Sequence, residues 1–139
     1  MRIMFLDDDP QRHQFVHDVL DEAPQHEITY VHTCLQATYA LKSESVFDIV
    51  FLDHDLADNR NGAGYSDAFS QDTGLDVARF ITHTLAANKR PHKIIIHSLN
   101  PVGALRMYDE LKAYSLEVFR VPYGDDSFIN VLDSIQRKH

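Results

Sequence analysis

Three apolar runs in this chain each end abruptly at acidic or titratable side chains. Ile3-Met4-Phe5-Leu6 stops at Asp7-Asp8-Asp9, Phe47-Asp48-Ile49-Val50-Phe51-Leu52 stops at Asp53-His54-Asp55, and Lys93-Ile94-Ile95-Ile96 stops at His97-Ser98. Near-continuous apolar runs of this length are what strands need when helices cover both faces of a parallel sheet. The segments between them have helical signals. Asp9 followed by Pro10 reads as an N-cap and first helical position, with Phe15, Val16, Val19 and Leu20 as the apolar face and Ala23-Pro24 as the stop. Leu35–Leu41, Gly74–Leu85 and Pro101–Tyr114 are further predicted helices, and Asp125 or Asp126 caps a last one carrying Phe128, Leu132 and Ile135. Glu27–His32 and Leu116–Val121 complete the strands. The order β-α-β-α-β-loop-α-β-α-β-α predicts an α/β fold with a parallel sheet. Ligands of such sheets gather outside the carboxyl ends of the strands, so the acids and His97-Ser98 are predicted to converge there.

A chain of 139 residues suits one domain, taken here as residues 1–139. Aspartate outnumbers glutamate by 16 to 5, a bias that suits caps, turns or an oxygen-rich metal site. With 13 Lys+Arg against 21 Asp+Glu, the chain lacks the basic surface that double-stranded DNA demands. No apolar stretch reaches the roughly 18 residues of a membrane span, and the first strand turns acidic where a signal peptide stays apolar. The lone Cys34 excludes a disulfide framework and a cysteine zinc site. A cytoplasmic location is the expectation. The polar stretch Ala57–Asp72, with Asn61-Gly62 and Ala63-Gly64, predicts an extended loop over about 55–73, of a length usually tied to function.

Read in order, these motifs resemble a receiver domain, the phospho-acceptor module of response regulators. Leu6-Asp7-Asp8-Asp9-Pro10 matches the acidic pair after the first strand, and Ile49-Val50-Phe51-Leu52-Asp53 matches the strand ending in the phospho-accepting aspartate. Thr73-Gly74-Leu75-Asp76-Val77 matches the start of the third helix, Ser98 the switch Thr or Ser, and Pro122 the proline of a Lys-Pro pair. The resemblance implies a five-stranded flavodoxin-like sheet of order 2-1-3-4-5. It also implies a Mg²⁺ site in which Asp8 and Asp53 bind directly and Asp7 acts partly through water. Val121 departs from the pattern, because the family has its lysine there. The combination Asp-Asp-Asp-Pro, Leu-Asp-His-Asp-Leu and His-Ser-x-Asn-Pro is most similar to a divergent receiver family associated with processing cyclic phosphates.

The chemistry expected of these residues follows. Asp7, Asp8 and Asp53 form an oxygen-rich pocket for Mg²⁺ or another divalent cation. His54 and His97 are candidates for general acid and base, with Asp53 alternatively attacking phosphorus and Ser98 donating to a phosphate oxygen. Asp55 could orient a histidine or a metal water, Asn100 could cap a helix or face the site, and Arg60 could supply from the loop the cation that Val121 does not. The remaining histidines read as structural or exposed. Three functions stay open: a Mg²⁺-dependent phosphoesterase acting on cyclic or terminal phosphates of nucleotides or RNA ends, a phospho-acceptor on Asp53 that regulates a protein partner, and a degenerate protein-binding module.

Overall fold

A computed structural model describes residues 1–20, 26–43, 45–56 and 73–137. Five strands, β1 (Arg2–Leu6), β2 (Glu27–Val31), β3 (Ile49–Leu52), β4 (Lys93–Ile96) and β5 (Val118–Arg120), form one sheet of order β2-β1-β3-β4-β5. All neighbouring pairs run parallel. The helices are α1 (Pro10–Leu20), α2 (Cys34–Ser43), α3 (Gly74–Arg79), α4 (Pro101–Lys112) and α5 (Asp126–Arg137). The helical segment expected over Gly74–Leu85 forms, but its second half, Phe80–Thr84, widens into a π-turn closed by Leu85 N–H on the Phe80 carbonyl at 2.8 Å. The last strand is shorter than the expected Leu116–Val121. No described helix is long and apolar enough to cross a membrane.

Side chains on a strand alternate between faces, and this divides the interior into two layers. Met4, Leu6, Val50, Leu52, Ile94 and Ile96 pack towards α2, α3 and α4. Ile3, Phe5, Ile49, Phe51 and Ile95 pack the other way, with Val16 and Leu20 of α1 and Phe128, Leu132 and Ile135 of α5. The three central strands are buried along almost their whole length, as their uninterrupted apolar runs require. The edge strands are only partly covered.

The pairing register sets what stands at the carboxyl edge. Leu6 is opposite Leu52, Leu52 opposite Ile96, and Ile96 opposite Arg120. The ladder continues one residue further through backbone hydrogen bonds, from Asp7 N–H to Val31 O, Asp53 to Leu6, His97 to Leu52 and Val121 to Ile96, at 2.9–3.2 Å. Asp7, Asp53, His97 and Val121 therefore share one rung. By the same alternation all of them face the α1/α5 side.

Candidate functional site

Asp7 is fully buried and held by donors at both ends. Its Oδ2 accepts from His97 Nε2 at 2.9 Å and from Arg12 Nη1 at 3.3 Å, and its Oδ1 accepts from the Asp9 backbone N–H at 2.9 Å. Its carbonyl accepts from His13 Nε2. Burial pushes the Asp7 carboxyl up, but the His97 hydrogen bond, with the Asp9 amide and the Arg12 charge, outweighs it and leaves the group below the ordinary aspartate value. His97 is completely enclosed, its ring stacked on Phe5 at 4.8 Å, and burial lowers its pKa despite Asp7. A neutral imidazole facing a carboxylate must place its hydrogen on Nε2. That leaves Nδ1 buried and without a partner among the described residues.

Asp53 is almost as deeply buried (4% exposed) but has no such set of donors among the described residues. Burial raises its pKa to about 7, the Asp7 charge adds to the rise, and the His54 backbone N–H and Arg12 oppose it only in part. One ligand atom each from Asp7, Asp53 and His97 lie within 4.8 Å of one another. The backbone leaves no slack here. A Cβ on Gly74 would sit 1.8 Å from the Asp53 carbonyl oxygen, so only glycine lets α3 begin so close.

A cavity of about 460 Å³ opens over this rung, and Asp8, Asp9, Asp53, Asp55, Arg12 and Ser98 line it. Arg12 projects from the first turn of α1. It lies 3.3 Å from Asp7 and 3.7 Å from Asp9, and its guanidinium rests 4.6 Å from the centre of the Tyr123 ring.

The family model described as the cyclic-phosphate processing receiver domain matches residues 2–113. The chain belongs to that family. Among solved structures it is similar to a CheY-like receiver domain from Methylobacillus flagellatus (TM-score 0.64, 19% identity, 97% of this chain and 98% of that one). It is also similar to the response regulatory domain of mrkE from Klebsiella pneumoniae (0.65, 18%, 96% and 93%). A third similar structure is a response regulator from Burkholderia pseudomallei with a phosphorylated aspartic acid, calcium ion and citrate (0.62, 12%, 97% and 70%). At these identities the likeness concerns the fold, and it agrees with the flavodoxin-like order of the sheet. No curated protein matches the sequence.

Receiver domains commonly bind Mg²⁺ in an acidic pocket, and the residues of this receiver fit such an ion. The donors are carboxylate oxygens, which hard divalent cations prefer, and Asp53 is a buried acid with too few hydrogen-bond donors. Asp7 has less capacity to spare, because its Oδ2 already accepts twice.

The other predicted residues divide between two sides of the site. His54 is the second residue beyond β3, so alternation turns it towards α4, where its ring packs so closely on Gly103 that a Cβ there would lie 2.5 Å from it. His97 is the first residue beyond β4 and turns towards Phe5 and Phe128. The two histidines expected to act together are thus separated. His54 Nδ1 instead meets Asp55 Oδ1 at 2.9 Å, and Asn100 Nδ2 reaches the same carboxylate at 3.3 Å. Asn100 also caps α4, its Oδ1 accepting from Gly103 N–H at 3.0 Å. Ser98 Oγ accepts from the Asn100 backbone N–H at 3.0 Å, which leaves its own hydroxyl hydrogen available. Val121 packs into the α1/α5 core. Arg60 and the loop Ala57–Asp72 lie outside the described residues. Arg12 and Tyr123 were not anticipated. The spacing Asp9 to Arg12, i to i+3 at a helix start, was the available signal.

Proposed function

We propose that this receiver binds Mg²⁺ through Asp8 and Asp53, with Asp7 through water, and hydrolyses a cyclic or terminal phosphate of a nucleotide or RNA end. The observation that carries the reading is the contrast within one rung. Asp7 accepts three hydrogen bonds, whereas Asp53 is buried, has fewer donors among the described residues, and opens onto a polar cavity. The family to which the chain belongs supports the substrate class. Bound Mg²⁺ would supply charge neutralisation of the phosphoryl oxygens.

The chain's own residues divide the work as follows. A carboxylate oxygen of Asp53 attacks phosphorus, one P–O ester bond breaks, and the departing oxygen takes a proton from a water in the open cavity, because His54 faces α4 and does not line it. The hydroxide left by that water cleaves the acyl phosphate and restores Asp53, so that a cyclic phosphate leaves as a phosphomonoester and a terminal phosphate as inorganic phosphate. Ser98 donates its hydroxyl hydrogen to a phosphoryl oxygen. His97 touches no substrate in this scheme. It is a positioning residue that fixes the Asp7 carboxylate.

Phosphorus NMR of a 2′,3′-cyclic nucleotide incubated with protein and Mg²⁺ tests the reading, with Asp53→Asn as control. Loss of the cyclic signal in the wild type alone supports it. Persistence of the signal with both nucleotides and short RNA ends, while Mg²⁺ binds, removes it. A second reading is a signalling phospho-acceptor, for which the phosphorylated aspartate of the Burkholderia pseudomallei structure is a precedent. In that case a small phosphodonor leaves a lasting adduct on Asp53 and no turnover follows.

A further inference from the structure

We infer that Arg12 is the anion-recognition residue of this cavity, its guanidinium held against the Tyr123 ring so that its free edge meets the phosphate oxygens of the substrate. The inference rests on the reading of the pocket as a phosphate site and adds the specificity element that the reading lacks. Four aspartates line the cavity, and Arg12 is the one cationic side chain on that lining among the described residues. The β5 position in the shared rung cannot help, because Val121 is apolar and buried in the α1/α5 core. Among the described residues, a phosphate entering this cavity beside a divalent ion therefore has one protein cation to meet.

The guanidinium is held on one side only. Nη1 points to Asp7 at 3.3 Å, Nε lies 3.7 Å from Asp9, and one face of the plane covers Tyr123 at 4.6 Å. Those contacts use three features of the group and leave Nη2 without a protein partner among the described residues. A planar fork whose orientation is already fixed loses little further freedom when it binds an oxyanion. The aromatic ring beneath it contributes attraction without competing for N–H groups. Arg12 and Asp53 line the same cavity. The simpler role, neutralising Asp7 and Asp9, accounts for two contacts but not for the ring seat or the edge left over.

Calorimetric titration separates these roles. Inorganic phosphate and adenosine 3′-monophosphate are titrated at saturating Mg²⁺, and Mg²⁺ is titrated separately. Arg12→Gln is expected to weaken both phosphate ligands about ten- to hundredfold, while Mg²⁺ affinity holds or tightens. Arg12→Lys recovers part of the loss, since a point charge lacks the fork, and Tyr123→Leu costs about threefold. Unchanged phosphate affinity in Arg12→Gln overturns the inference, and so does a wild type that binds neither phosphate ligand. If Arg12→Gln does not fold, Arg12→Lys and Tyr123→Leu decide, and no change in either overturns it. Turnover of a cyclic phosphate with a KM indifferent to Arg12 sinks this inference and leaves the phosphoesterase reading standing. Arg12-dependent phosphate binding without turnover does the reverse.

Discussion

Asp7 and Asp53 stand at the same height on adjacent strands, and their surroundings push them in opposite directions. Asp7 meets His97, Arg12 and the Asp9 amide and stays ionised below the usual aspartate range. Asp53, among the described residues, meets the His54 backbone amide and the opposing charges of Asp7 and Arg12, and rises to about 7 because burial and Asp7 prevail. One carboxylate is tied into the framework, and the other has fewer hydrogen-bond donors among the described residues. Depth of burial does not separate them, because both are nearly inaccessible. The number of hydrogen-bond donors does.

The largest expected effect comes from removing the reactive member. Asp53→Asn should abolish turnover and also the stabilisation conferred by Mg²⁺. Without divalent ions it should be more stable than the wild type at alkaline pH. A carboxyl whose pKa is higher in the folded than in the unfolded chain stabilises the fold below the unfolded value and loses that contribution as pH rises through the folded one. The wild type should therefore weaken between about pH 4 and pH 7, by up to about 4 kcal/mol, and the variant should not. Thermal unfolding in a chelator across that range measures the difference, and added Mg²⁺ should close it.

Asp7 has the opposite sign. Its depressed pKa gives stability that is present above the unfolded aspartate value and lost as pH falls through the folded one. His97→Ala strikes this arrangement directly, because it leaves Asp7 buried without its main donor and opens a space beside Phe5. A loss of about 3–4 kcal/mol in urea unfolding is expected. An unchanged midpoint would mean that Asp7 does not depend on His97.

Gly74→Ala tests whether the shortage around Asp53 depends on the backbone. Its Cβ must displace the Asp53 carbonyl, at a cost of about 1–3 kcal/mol, and Mg²⁺ affinity should fall with it. The smallest effect belongs to the α4 side. Asp55→Asn should change kcat by no more than about threefold, as a charge on the cavity wall rather than a reacting group, while the urea midpoint stays where it was, since Asp55 is exposed.

Much of this arrangement could be read in the sequence. The apolar runs at Ile3–Leu6, Phe47–Leu52 and Lys93–Ile96 predicted the three central strands, and the acids after them pointed to the site edge. The division of labour between Asp7 and Asp53 could not be read there, because it depends on which residues are opposite one another across strands. No local pattern states that Leu6, Leu52 and Ile96 are in register. Once they are, alternation puts His97 on the side of Asp7 and sends His54 away. The expected histidine pair assumed that nearness to a strand end was enough. Arg12 is not legible for a related reason, since only the fold turns the first turn of α1 onto the cavity.

The bond between His97 and Asp7 joins positions 90 residues apart in the chain. Closing so large a loop carries a high entropy cost, and the bond also needs β1, β3 and β4 paired in register before its two groups meet. An ion that binds only the finished rung is absent from the folding transition state, so Mg²⁺ should act on one arm of the chevron, slowing unfolding and leaving the refolding rate almost untouched. For this receiver, occupancy of the site would then act as a brake on exit from the native state.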